Sequence, residues 1–363
     1  MTKTESNNSL KILEMKNLKH YNQLDGVRAI AVIMVMFYHF FQDFNSTNES
    51  VLLLKKLSLF GKTGVSLFFV LSGFLITRIL LNTKDQPSYF KNFYIRRALR
   101  IFPLYYFFLI IYYFFIPLIT KNAFPHFSDQ IYYWTFLQNF ASTFEWQNIG
   151  PSHYWSLSVE EHFYLFWPFI IYFLPLKNIK WGIVTLFIIS VITRIVLIKN
   201  NLEESQFTFA RFDELAIGAL LSVLEIEQKL ISKNSTIFFA LFLLSTIPLG
   251  YVSFKNGDYS LFDKISRHII LAIFYGSFVS LVIIAKNTSI ISKILSTDFL
   301  RFTGKISFGL YVYHPLCFTL ILYYLHLNII GNFLASFTFA YLISILSYNL
   351  IEKKFLTFKR KFA

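Results

Sequence analysis

A single cysteine, Cys317, is all the sequence holds, and it lies in an apolar run. That excludes an internal disulfide framework and any cysteine-based metal site. No HExxH stretch occurs, and no pair of histidines has zinc-site spacing with a third ligand, so no metal is expected. Walker and GxGxxG phosphate loops are missing, as is a GxSxG nucleophile elbow. Acidic residues are scarce: 20 Asp and Glu stand against 34 Lys and Arg, for a net charge of +14. Charged residues of both signs make only 15% of the chain, while 55% is hydrophobic and 20% aromatic. With a mean hydropathy of +0.52 over 363 residues, the composition is that of a polytopic membrane protein rather than a soluble enzyme.

The apolar runs predict an all-α protein of about ten transmembrane helices, at 24–44, 62–81, 101–119, 159–176, 181–198, 213–226, 236–254, 268–285, 307–326 and 332–351. The 213–226 run is short and begins with charge. With the N-terminus inside, the cytoplasmic segments hold 23 Lys and Arg and the external loops 9. This bias places both termini in the cytoplasm. It also argues against nucleic acid, because the positive charge follows alternate loops instead of forming one patch. The expected organisation is a cytoplasmic tail, 1–23, a membrane domain, 24–351, and a basic cytoplasmic tail, 352–363. Residues 1–23 are polar and show no cleavable signal, leaving the first helix to direct insertion into the plasma membrane.

The first span, LDGVRAIAVIMVMFYHFFQDF, carries Asp25, Arg28 and His39. Ionisable groups at membrane depth are costly and mark functional sites. Arg28 and His39 are eleven residues apart, about three turns, so they share a face with a rise of roughly 16 Å between them. His39 near mid-membrane suits a general base. Arg97 and Arg100 share a helix face at the cytoplasmic edge. They form either a phosphate fork or a positive-inside anchor. Glu160 and Glu161 lie in HYWSLSVEEHFYLFWP, expected at the outer edge opposite the arginines. Ser158 with Glu161 reads as a capping box, while Glu160 is free to orient His39 or an acceptor hydroxyl. Arg211 and Asp213 open a short helix, as an ion pair or as site residues. His314, before Pro315, is a further candidate with a structural alternative, and His153 and His162 are weaker ones.

These stretches resemble acyltransferase family 3, membrane proteins that transfer acyl groups, usually acetyl, to extracytoplasmic sugars. The resemblance rests on LDGVRAIAVIMVMFYHF (24–40), GVSLFFVLSGFLIT (64–77), RRALRIFPLYY (96–106), HYWSLSVEEHFYLFWP (153–168), FARFDELAIGALL (209–221) and SFGLYVYHPL (307–316), in the family's order over most of the chain. It implies that His39 is the catalytic base and that Arg28 supports the donor and the site. Arg97 and Arg100 would hold the phosphates of acyl-CoA, acetyl-CoA being the expected co-substrate. The acceptor would be a hydroxyl of a surface or lipid-linked glycan. His39 would either deprotonate that hydroxyl or be acylated itself. The end of the chain just after its last span fits a stand-alone member without an appended esterase-like domain. The alternatives are a transporter or flippase of a lipid-linked glycan, a non-catalytic membrane scaffold, and an acyltransferase acting on a small hydroxylated metabolite or a lipid. Inverted repeats, which would favour a transporter, are not visible.

Overall fold

Two glycines bring a pair of helices into backbone contact at the centre of the molecule. In the computed structural model, which describes residues 20–42, 48–255 and 259–362, a methyl on Gly73 would lie 2.0 Å from the Leu215 carbonyl oxygen. One on Gly218 would lie 2.1 Å from the Val70 oxygen. The two glycines therefore notch one helix into the other, backbone against backbone. Any side chain there must push the helices apart. Gly73→Leu is expected to abolish folding, seen as loss of the monodisperse peak in detergent, and a normal peak would refute the contact.

Among the described residues every regular element is helical. The first four are α1 (Asn22–Gln42), α2 (Glu49–Ser58), α3 (Gly64–Thr83) and α4 (Tyr89–Ile110). A π-turn at Ile111–Phe115 leads into α5 (Ile116–Thr120). The long loop that follows folds into α6 (Phe127–Trp134) and α7 (Gln138–Thr143). Then come α8 (Trp155–Phe173), α9 (Leu176–Lys199), α10 (Phe212–Ile226), α11 (Ser235–Phe254) and α12 (Leu261–Ile284). Short α13 (Ile290–Leu295) and α14 (Asp298–Lys305) precede α15 (Ser307–Leu325) and α16 (Ile329–Ser347). A second π-turn, Tyr348–Glu352, joins α16 to α17 (Lys353–Phe358).

Helices occupy all ten expected positions, and eight are long and apolar enough to cross a membrane. The other two are α8, which carries Glu160, Glu161 and His162, and α10, which has only 15 residues. α10 is packed into the centre, against α3, α9 and α12. Its short length suits a helix whose faces are all covered by protein. α9, α11 and α16 instead turn Trp181, Ile188, Leu244, Ile247, Leu342 and Leu346 outward. This is the surface of a multi-pass membrane protein, apolar where a soluble protein is polar. The expected N-terminal tail falls, up to residue 19, outside the described residues. The expected C-terminal tail is not free: α17 and the turn after it fold back on α4.

Candidate functional site

Arg28 stands one turn into α1, half-buried, with Asp25 Oδ1 at 3.5 Å from its Nη1. His20 Nε2 approaches the other oxygen of Asp25 at 3.9 Å. Gly26 and Gly304 let α13 and α14 lie against this end of α1, since a methyl at either would meet a backbone carbonyl at 2.0 Å. α4 brings Arg96, Arg97 and Arg100 to the same place. Arg28, these three and Lys359 line a cavity of ≈ 240 Å³. Among the described residues no carboxylate comes within ion-pair distance of Arg96, Arg97 or Arg100, whereas Arg78 nearby is held by Glu225 at 2.6 Å. The Arg97 guanidinium lies over the Tyr164 ring, 4.5 Å from its centre. Burial beside Arg100, Arg97, Arg96 and Arg28 holds the Lys359 ammonium down at about 7.

A second, narrower cavity shares Arg28, Arg97 and Arg100 with the first and runs inward past Ser72, Glu160 and Tyr311. The Glu160 carboxylate is fixed there by the hydroxyls of Ser72, 2.7 Å, and Tyr164, 2.9 Å. Glu160 and Glu161 thus share a cavity with the arginines instead of facing them from the opposite edge. The reason is the start of α8: a 3₁₀ turn, Ser152–Tyr154, begins the helix at Trp155, inside the protein. For the same reason Ser158 is no cap. Its buried hydroxyl and one Glu161 oxygen have no hydrogen-bond partner among the described residues.

His39 and His314 meet. Their Nδ1 and Nε2 atoms are 2.9 Å apart. His314 Nδ1 lies 2.9 Å from the Leu310 carbonyl oxygen, one turn earlier in α15. Pro315 has no N–H to offer the Tyr311 carbonyl, which loosens the helix at this turn. A carbonyl only accepts, so His314 Nδ1 carries the hydrogen and its Nε2 is left with a lone pair. With both rings neutral, His39 Nδ1–H donates to that lone pair, and His39 Nε2 is the free base. His153 packs behind, its ring centre 5.5 Å from that of His314. Between this cluster and the inner cavity stands Tyr311, whose hydroxyl donates to the His153 carbonyl at 2.8 Å and meets Ser156 Oγ at 2.5 Å.

Arg211 and Asp213 are not paired with each other. Arg211 takes Glu214 at 2.8 Å, and Asp213 takes Arg194 of α9 at 2.7 Å, both of the latter side chains fully buried. His268 Nδ1 also faces Glu214, at 3.2 Å. Residues two apart point to different faces of a helix and residues three apart share one, so the spacing favoured Glu214. Lys359, Ser72, Tyr164 and Tyr311 are site-lining residues that the sequence did not single out. Only Lys359, in a KRK run, carried a signal.

Comparison with known proteins fixes the family. The acyltransferase domain model, Acyl_transf_3, matches residues 21–349. The chain is 30% identical over 328 residues to the peptidoglycan O-acetyltransferase OatA of Listeria monocytogenes, covering 82% of this chain and 49% of that protein. It is 28% identical over 333 residues to a putative O-acetyltransferase of Staphylococcus aureus, covering 82% and 51%. A putative peptidoglycan O-acetyltransferase, YrhL, of Bacillus subtilis is 28% identical over 318 residues, covering 80% and 47%. The chain thus spans about half the length of the curated relatives it matches. No solved structure matches it. The chain belongs to acyltransferase family 3 and is an acyltransferase domain.

Proposed function

We propose that the protein moves an acetyl group from cytoplasmic acetyl-CoA to a hydroxyl of a cell-envelope glycan on the other side of the membrane. The observation that carries this is the pairing of an arginine-lined cavity with an imidazole free base farther along the same helix. Arg28 and His39 are separated by roughly 16 Å of helix rise. A donor with its phosphates at one end and a thioester on a flexible arm matches that separation. The relatives' names, which specify peptidoglycan O-acetylation, support a glycan acceptor.

In this reading Arg28, Arg97 and Arg100 hold the phosphates by charge-assisted hydrogen bonds. Glu160, fixed by Ser72, holds the Tyr164 hydroxyl and so the ring over which the Arg97 guanidinium lies. His39 Nε2 takes the acceptor's hydroxyl proton as its oxygen bonds to the acyl carbon. The C–S bond breaks with its electron pair on sulfur, and the proton passes to that sulfur to give the free thiol. His314 is a positioning residue that orients His39.

The test is acetyl transfer in membranes from labelled acetyl-CoA into the glycan fraction. Label is expected with wild type; its absence over a panel of envelope glycans, although acetyl-CoA binds, would overturn the reading. Arg100→Ala is expected to raise the KM for acetyl-CoA about tenfold or more while changing kcat little. Lys359 adds a pH dependence. It is charged below about 7 and neutral above, so CoA affinity is expected to fall as pH rises from 6 to 8. Lys359→Gln flattens that profile, as titration calorimetry at three pH values would show.

A further inference from the structure

A charged cavity that the donor chemistry leaves unused lies at the opposite end of α3 from Arg78. Its wall includes Lys62, Lys264, Arg267, Glu203, Glu204 and Trp155. From Arg78 to Val65 along α3 is roughly 20 Å. Val65 lines both this cavity and the inner one, so the two are separated by little more than that side chain and its neighbours. The cavity also lies beside the His39 end of α1. Gly61, next to Lys62, abuts Tyr38, next to His39; a methyl at Gly61 would be 3.0 Å from the Tyr38 Cβ.

The cations here divide into two kinds. Arg211, which also faces the cavity, is committed: Glu214 holds it at 2.8 Å, and its Nη2 reaches Ser66 Oγ at 3.1 Å. Lys62, Lys264 and Arg267 have no carboxylate within ion-pair distance among the described residues; Asp258, just before Tyr259 in the chain, lies outside them. Glu203 accepts on Oε1 from the Ser205 hydroxyl and backbone N–H; with Glu204 it places negative charge on the same wall, which the three cations outnumber. Trp155 is held rigid between the Arg211 guanidinium, 5.1 Å from its ring, and the edge of Phe69, 6.0 Å away. Arg267 lies over the Tyr259 ring at 5.9 Å, so aromatic rings and cations without a carboxylate partner alternate here, a lining that suits a sugar carrying a negative charge. The part of the Trp155 ring left open to the cavity meets C–H groups of the sugar, and the cations meet the anion.

We infer that this cavity is the acceptor subsite and that it selects a glycan bearing a carboxylate or a phosphate close to the hydroxyl that is acylated. Lys62 and Arg267 take the anion, and Trp155 takes the sugar face. The assignment as an acceptor subsite rests on the acyl-transfer reading above, whereas the anion preference is measured without it.

The experiment uses the full chain in lipid nanodiscs and three probes, read by saturation-transfer NMR and titration. The probes are an N-acetylglucosamine tetrasaccharide, the same tetrasaccharide with a terminal phosphate, and a hyaluronan tetrasaccharide, which carries carboxylates. At least one anionic probe is expected to bind tenfold or more tighter than the neutral one. The preference should shrink as salt rises. Which anionic probe leads identifies the charge as carboxylate or phosphate. Lys62→Gln combined with Arg267→Gln is expected to bring its affinity down to that of the neutral probe, with acetyl-CoA affinity unchanged as the check on folding. Lys62→Gln alone, at an exposed position, should remove part of the preference. Equal binding of the three probes, binding of neither anionic probe, or a preference that survives the double substitution would overturn the inference. Labelled acetyl-CoA in the same nanodiscs separates the two claims. Transfer without anion preference removes the subsite alone, and anion preference without transfer to any probe or envelope glycan removes the acyltransferase reading alone.

Discussion

His39→Ala is expected to lower acetyl transfer by about 10²–10⁴-fold, the usual worth of a positioned general base, while the protein stays folded and the KM for acetyl-CoA stays put. In the proposed reading the donor's charged end lies about three turns of α1 away, at Arg28, Arg97 and Arg100, so removing an imidazole at the other end is expected to leave donor binding intact. The ring also contributes little packing that alanine would collapse, since it stands partly exposed beside Tyr38 and His314. Membranes with equal protein levels, assayed with labelled acetyl-CoA, give the answer; a wild-type rate in the variant would remove His39 from the chemistry. His314 separates base from positioner. His314→Ala removes the ring that His39 Nδ1–H faces and leaves the backbone of Val35 as its remaining hydrogen-bond partner, so the orientation of the base is loosened. A fall in kcat with both KM values unchanged is expected. His314→Gln, whose side-chain oxygen can accept the same hydrogen bond, should recover part of the rate. A structural role alone would make the glutamine as harmful as the alanine.

The second large effect falls on stability. Arg194 and Asp213 are fully buried and 2.7 Å apart. Arg194 Nη1 also donates to the Ala210 carbonyl at 2.5 Å, fixing the turn that starts α10. Arg194→Met strands the Asp213 carboxylate in the interior, at an expected cost of about 3–5 kcal/mol. Removing both charges is a different matter. Arg194→Met with Asp213→Leu leaves no charge unpaired, and replacement of a buried pair by apolar residues is often neutral or stabilising. The single variant should therefore melt well below wild type in detergent, and the double variant should return most of the loss. A single variant that melts with wild type would show that the pair does not hold α10 in place.

The membrane class, the helical positions and the arginine and histidine candidates were all legible locally, because each is a property of one segment. Apolar run length marks a span, and an ionisable group inside it is conspicuous. Pairings were harder. His314 reaches its partner across 275 positions, and no local pattern records that. The apolar run begins at Val159 and by itself sets Glu160 opposite the arginines, whereas the helix starts at Trp155 and Glu160 lies in their cavity. The aromatic and polar residues of Trp155–Ser158 are helical here inside the protein, with Ser156 against the Tyr311 hydroxyl and the Trp155 ring against Phe69 and Arg211. The apparent cap at Ser158 failed for the same reason, as a capping pattern is meaningful only where a helix actually starts. The Arg211–Asp213 reading, by contrast, was correctable from spacing alone, because Glu214 is the residue one turn on.

The glycine notch between α3 and α10 also sets an order of assembly. Gly73 and Gly218 stand 145 positions apart in the chain. At about 5–20 residues per second of synthesis, α3 waits roughly 7–30 s for the helix that covers it. During that interval its indented face, with Ser66 and Ser72 exposed, has no partner to close on. The inner cavity, walled by α3 on one side and by Ser307, Phe308 and Tyr311 of α15 on another, closes later still, once α15 has been made. The molecule's centre is among the last of its parts to be completed, and the interval before that is when the nascent chain depends most on the insertion machinery to shield polar groups from lipid.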